Sequence, residues 1–201
     1  VNHDMAYVCG LMHDIGKVAL YDLRRDEFLQ NCEDALVRKT DLLTTEIKNQ
    51  SYRHHEVGYL MFKEWGQDER LTYIIGRHHE PDHKERGSCP QNPDLDKHTE
   101  EERAREQAKY EKDTHELVDI VILANWMVCD QKFGSSGNHY PSDHSTEILA
   151  LLNLGPQDIQ KLRETVKEEL KTTNDLLEFL NDEDPEKPSE DEDLDETEGA
   201  D

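Results

Sequence analysis

Apolar residues recur at helical spacing along almost the whole chain, and strand-like alternation never persists beyond a few positions. The first run, residues 6–20, is hydrophobic nearly throughout. It reads as one helix buried on most sides, interrupted only by Gly10, His13, Asp14, Gly16 and Lys17. Residues 26–40 and 41–50 read as two helices with charged outer faces. Residues 54–66 carry a single apolar stripe of Val57, Leu60, Met61 and Trp65 that stops at Gly66. A further helix over 68–81 is ended by Pro81. Residues 82–113 turn to Pro, Gly, Asn and dense charge, the composition of a solvated loop with a polar helical extension. Residues 115–130 return to buried-helix character. After a Gly and Ser turn over 133–143 comes a short helix around STEILALLNLG. The last amphipathic helix has Ile159, Leu162, Val166, Leu170, Leu176 and Leu177 roughly on one side. The pattern predicts an all-α bundle over residues 1–180.

Charge adds a second region. From residue 182 to the end there are twelve acidic residues and Lys187, −11 of the total −24, which leaves −13 for residues 1–181. This acidic tail, 181–201, lacks the apolar area needed to fold and is expected to be disordered. So negative a chain would be repelled by nucleic acid and by anionic membranes, so neither is expected as a partner. No apolar run is long enough to cross a bilayer and no signal peptide is visible. Cys9, Cys32, Cys89 and Cys129 show no CxxC spacing and read as reduced thiols of a cytoplasmic protein. The start at Val1, almost directly in the first helix, suggests a piece of a longer protein or a mature product with its start removed.

The chemistry sits in the interruption of the first helix. A carboxylate at Asp14 among so many apolar neighbours would cost several kcal/mol of desolvation unless a partner satisfied it. Eleven histidines are available. Three pairs, His13-Asp14, His54-His55 and His78-His79, lie within or beside apolar helices. Imidazole and carboxylate together suit iron, manganese or zinc, and magnesium less well. Adjacent residues on a helix point about 100° apart, so the remaining ligands must come from other helices, at an inter-helix site.

GLMHDIGK resembles the signature of the HD superfamily of metal-dependent phosphohydrolases. TEIKNQSYRHHEVGYLMFKEWG, IIGRHHEP and IVILANWM resemble, in order, the pattern of its HDOD branch, from about residue 4 to about residue 180. The resemblance implies an HD-like helical bundle and assigns His13 and Asp14 to the defining pair. His54, His78 and His79 match positions that bind a second metal in the HD-GYP branch. Two departures stand out. The histidine that the superfamily places one helix upstream would precede Val1, and Asn125 replaces the final aspartate ligand. An amide oxygen is a weaker, neutral ligand, and neither Asp119 nor Asp130 shares the helix face of Asn125. The GYP segment is absent.

Other readings stay open at each position. His13 and Asp14 could be a hydrogen-bonded core pair. His54, His78 and His79 could be interior hydrogen-bonding groups. Lys17 could contact a phosphate or be a snorkelling lysine. Glu46, eight residues before His54, matches the family pattern and reads equally as a helix-surface or capping residue. His55, His83, His98, His115, His139 and His144 read as surface histidines, and Trp65 and Trp126 as core. The expected function is a regulatory or signalling module with protein partners, its metal site retained or vestigial and weakly or non-catalytic. The alternative is a phosphohydrolase acting on a nucleotide or other phosphoester.

Overall fold

A computed structural model describes residues 1–95, 99–133 and 136–182. Among these the secondary structure is helical and no strand occurs: α1 (His3–Met12), α2 (Ile15–Leu23), α3 (Arg25–Arg38), α4 (Leu42–Lys48), α5 (His54–Glu64), α6 (Glu69–Arg77), α7 (Glu100–Asp130), α8 (Ser145–Leu151) and α9 (Pro156–Asp182). The protein is all-α, as its periodicity predicts. The tail from residue 183, His98, and the side chains of Leu176 and Leu177 lie outside the described residues. Among the described residues no helix is long and apolar enough to cross a membrane. All four cysteines are free.

The first run of apolar residues is not one buried helix. It breaks at His13 and Asp14, where Asp14 takes φ −99°, ψ 11° and its carbonyl accepts from Lys17 N three residues on. The two halves then pack on different partners, α1 on α6 and α7, and α2 on α3 and α5. Each half covers only one side, so Tyr7 (73% exposed), Leu11 (68%) and Val18 (63%) face outward.

Glycine decides how closely the central helices approach. A Cβ on Gly16 would lie 1.9 Å from the His54 carbonyl oxygen and 2.7 Å from Gly58 N, so α2 and α5 touch backbone to backbone. Gly58 in turn leaves room for Ile75 of α6. These contacts stack the start of α2, the start of α5 and the end of α6 at one level.

The main core gathers Phe62, Ile74, Ile75, Leu117, Val118, Val121, Ile122 and Met127 from α5, α6 and α7, with Ile159, Leu162 and Val166 of α9 packed against it. Burying each such side chain contributes about 1.5–3 kcal/mol. A smaller cluster of Leu20, Phe28 and Leu42 ties α2, α3 and α4 together. Trp126 packs on the core and carries the Arg163 guanidinium over its ring at 5.0 Å. Trp65 departs from expectation, being 56% exposed, because it caps the end of α5, where among the described residues Phe62 is its one ring neighbour.

Helix α7 opens on a capping box between Thr99 and Glu102 and is exposed through its first turns; burial begins at Thr114. The polar extension is therefore the solvated half of one helix. Arg86, within the stretch expected to be a solvated loop, is fully buried. Its guanidinium donates to the carbonyls of Glu80, Pro81 and His115 and to Asp119 of α7. His83 also meets Asp119, at 3.0 Å, and stacks on His115. This network fixes the segment after His79 against α7.

Candidate metal centre

The stacking of α2, α5 and α6 brings five of the six sequence-selected ligand candidates together. His54 Nε2 lies 2.8 Å from His79 Nε2 and 3.5 Å from Asp14 Oδ1. His78 Nε2 lies 3.7 Å from the same carboxylate oxygen, and His13 Nε2 lies 3.2 Å from Asp14 Oδ2. Among the described residues, two groups have ligand atoms all within 4.8 Å of one another, His54-His78-His79 and His13-Asp14-His78, and His78 belongs to both.

Three of the rings are held with the same nitrogen inward. His13 Nδ1–H donates to the Gly10 carbonyl at 2.7 Å, and His78 Nδ1–H donates to the Ile75 carbonyl at 2.7 Å. A carbonyl can only accept, so the proton of each neutral ring sits on Nδ1 and the lone pair on Nε2. His54 Nδ1 faces Glu46 Oε2 at 2.8 Å, and the His54 main-chain N–H donates to that same oxygen at 3.3 Å. Glu46 is wholly buried, so it is not a surface group, and its carboxyl takes up the unpaired N–H at the start of α5.

Burial opposes the Asp14 carboxylate, yet the His13 and His78 rings and the Lys17 ammonium outweigh it and hold the carboxyl well below its usual range. Lys17 Nζ donates to Asp14 Oδ2 at 2.7 Å. Burial, reinforced by the Lys17 charge, keeps His54 well below the usual imidazole range. Burial and the neighbouring His78 do the same for His79. His13 goes the other way, since Asp14 more than offsets its burial. Burial pushes the Glu46 carboxyl up to about 8.

These groups fit a divalent ion. Donors bound at about 2.0–2.1 Å in a tetrahedron stand roughly 3.3 Å from one another, near the separations around Asp14 Oδ1. His13 Nε2, His78 Nε2 and Asp14 Oδ1 are buried without a hydrogen-bond partner, an arrangement that costs energy unless something else satisfies them.

Asn125 stands slightly apart. It lines a small cavity of about 30 Å³ with His78 and His79, and its amide oxygen accepts from the Cys129 thiol at 3.6 Å. Asp119 is committed to Arg86 and His83. On the other side of Asp14 a groove of about 680 Å³ opens, lined by Lys17, Val18, Tyr21, Leu29, Leu36 and His139 among others. His139 is exposed and His83, His115 and His144 are half-buried. His55 is a correction: it is 7% exposed, packed by its neighbours His54, His78 and His79. The sequence signal that could have found it is its adjacency to His54 on the face that meets α6.

The chain is a helical bundle with an adjacent His-Asp pair where its helices cross. Residues 1–81 match the family model of the HDOD domain, in agreement with the resemblance carried by their motifs. The matched stretch contains His13, Asp14, Lys17, Glu46, His54, His78 and His79, and ends before Asn125. No curated protein and no solved structure gives a significant match to the chain.

Proposed function

We propose that this protein is a regulatory or signalling module of the HDOD type that holds a divalent ion, iron, manganese or zinc before magnesium, and turns over substrate weakly or not at all. The ion would be held by His13, Asp14, His54, His78 and His79, with Asn125 in the adjoining cavity wall. What carries the reading is the shared aim of the His13, His54 and His78 lone pairs and the orphaned Asp14 Oδ1. A bound ion of this class lowers the pKa of a coordinated water and polarises a phosphoryl oxygen. The chain's residues supply one carboxylate to that ion, since Asn125 stands where the superfamily has its second, and this favours binding over turnover. Its partners would be proteins of the cytoplasm of a bacterial cell, with neither nucleic acid nor membrane among them, given the charge of −24.

One observation favours the second reading, a phosphohydrolase acting on a nucleotide or other phosphoester. Lys17 lines the groove beside Asp14, where an ammonium could steady a phosphate. Elemental analysis of protein purified without chelator, with a phosphodiesterase and nucleotidase screen in Mn²⁺, separates the two. Stoichiometric metal without turnover is expected. Turnover abolished by His13→Ala or Asp14→Ala would establish the enzyme instead, and absence of metal would defeat both.

A further inference from the structure

Among the hydrogen-bonding groups that orient the inward-facing rings, two are main-chain carbonyls and the third is the side-chain carboxyl of Glu46. Glu46 reaches His54 from α4, a helix that offers no candidate ligand of its own. Its place is built from both ends. Asp41 caps α4 by accepting from Thr44 N at 2.8 Å, and Asn138 accepts from Leu42 N at 3.2 Å. The Glu46 carbonyl accepts from Ser51 N at 3.0 Å and Ser51 Oγ at 3.1 Å, and Asn31 donates to that Ser51 hydroxyl at 2.7 Å. Glu46 thus arrives at the first turn of α5 on an anchored backbone, with its side chain fully enclosed.

We infer that Glu46 is the positioning residue of the metal centre: by accepting from both Nδ1–H and the main-chain N–H of His54, it fixes the ring's tautomer and turn and makes Nε2 a stronger donor to the ion. The inference rests on the metal-holding reading above for its consequence, and on hydrogen-bond geometry alone for its premise. Two bonds from one residue to one oxygen leave the ring no freedom to rotate about its Cβ without breaking one of them. A carboxylate behind a ligating imidazole raises the basicity of the opposite nitrogen, and removing such a partner costs 10–100-fold in metal affinity. His13 and His78, backed by carbonyls, lack this reinforcement.

The test uses the full chain, with imidazole ¹⁵N chemical shifts to read the His54 tautomer in metal-free protein and calorimetry to read affinity for Zn²⁺ alone. Wild-type protein is expected to carry His54 as the Nδ1–H form. Glu46→Ala should lose that preference and about 10–100-fold in Zn²⁺ affinity, and Glu46→Gln, the same size but a weaker acceptor, should lose about tenfold. The Gln variant carries the test if the Ala variant does not fold. An Nε2–H tautomer in wild type, or affinity and tautomer unmoved in both variants, would overturn the assignment; a stability role alone would leave the tautomer of a folded variant unchanged. Failure of wild-type protein to bind Zn²⁺ would overturn the metal-holding reading, while the tautomer would still decide the role of Glu46.

Discussion

The α-carbon of Gly16 rests against the carbonyl of His54 so closely that a methyl group there would stand 1.9 Å from the oxygen. The contact sets the distance between Asp14, two residues before the glycine, and the His54 ring. Gly16→Ala should therefore force α2 off α5, costing about 3 kcal/mol by denaturant titration, at the upper end for overpacking. Zn²⁺ affinity should fall with it, because the Asp14 carboxylate moves with α2. Gly10→Ala, with nothing within 4 Å, should leave both nearly unchanged and serves as the control.

Removing one member of the buried Arg86–Asp119 pair strands the other. Arg86→Met or Asp119→Leu alone should destabilise the protein by about 3–5 kcal/mol in urea unfolding. The double substitution should recover much of that loss, since neither charge is then left alone in the core.

Acid and base should destabilise the protein through different groups. His54, His55 and His79 are held below the usual imidazole range, His55 down to about 3, chiefly by burial. The unfolded chain then binds more protons than the folded one below about pH 6.5, so their contribution is present above that pH and is lost as pH falls. Glu46 is raised to about 8, so between its ordinary value near 4.5 and that point the folded state keeps a proton the unfolded chain has released. Its effect is a stability that declines as pH rises through this window. Unfolding free energies at about pH 5, 6.5 and 8 should show Glu46→Gln gaining on wild type as pH increases.

Metal should be visible in stability before it is visible in any assay of turnover. Zn²⁺ at 100 times its dissociation constant is expected to add about 2.7 kcal/mol to unfolding, and a chelator to remove it. His54→Ala and His78→Ala should each abolish that increment. An unchanged midpoint on adding Zn²⁺ to wild type would refute it.

Much of this site could be seen in the sequence because its chemistry is written in adjacent letters. His13-Asp14 and His78-His79 announce themselves as polar pairs in apolar surroundings, and the spacing of apolar residues places α3 to α6 within a few positions, though it merges α1 with α2 and finds only the buried half of α7. What periodicity conceals is which neighbour covers which face. Tyr7, Leu11 and Trp65 repeat at core spacing yet face outward, because no second helix lies over them among the described residues. Glu46, His55 and Arg86 carry charge or polarity and read as surface, yet are enclosed by elements distant in sequence. Their burial depends on partners 8 to 33 residues away, such as His54 for Glu46 and Asp119 for Arg86.

The 2.8 Å approach of His54 and His79 has a bookkeeping consequence for any ion that enters. With the His54 lone pair on Nε2, the hydrogen between the two rings belongs to His79, so an ion claiming both nitrogens obliges His79 to carry its hydrogen on the far side of its ring. That is a relocation, and it liberates nothing to solvent. His13, whose affinity for a second proton is raised by Asp14, is the ring that would surrender one. Heats of binding measured in buffers of different ionisation enthalpy would count that exchange.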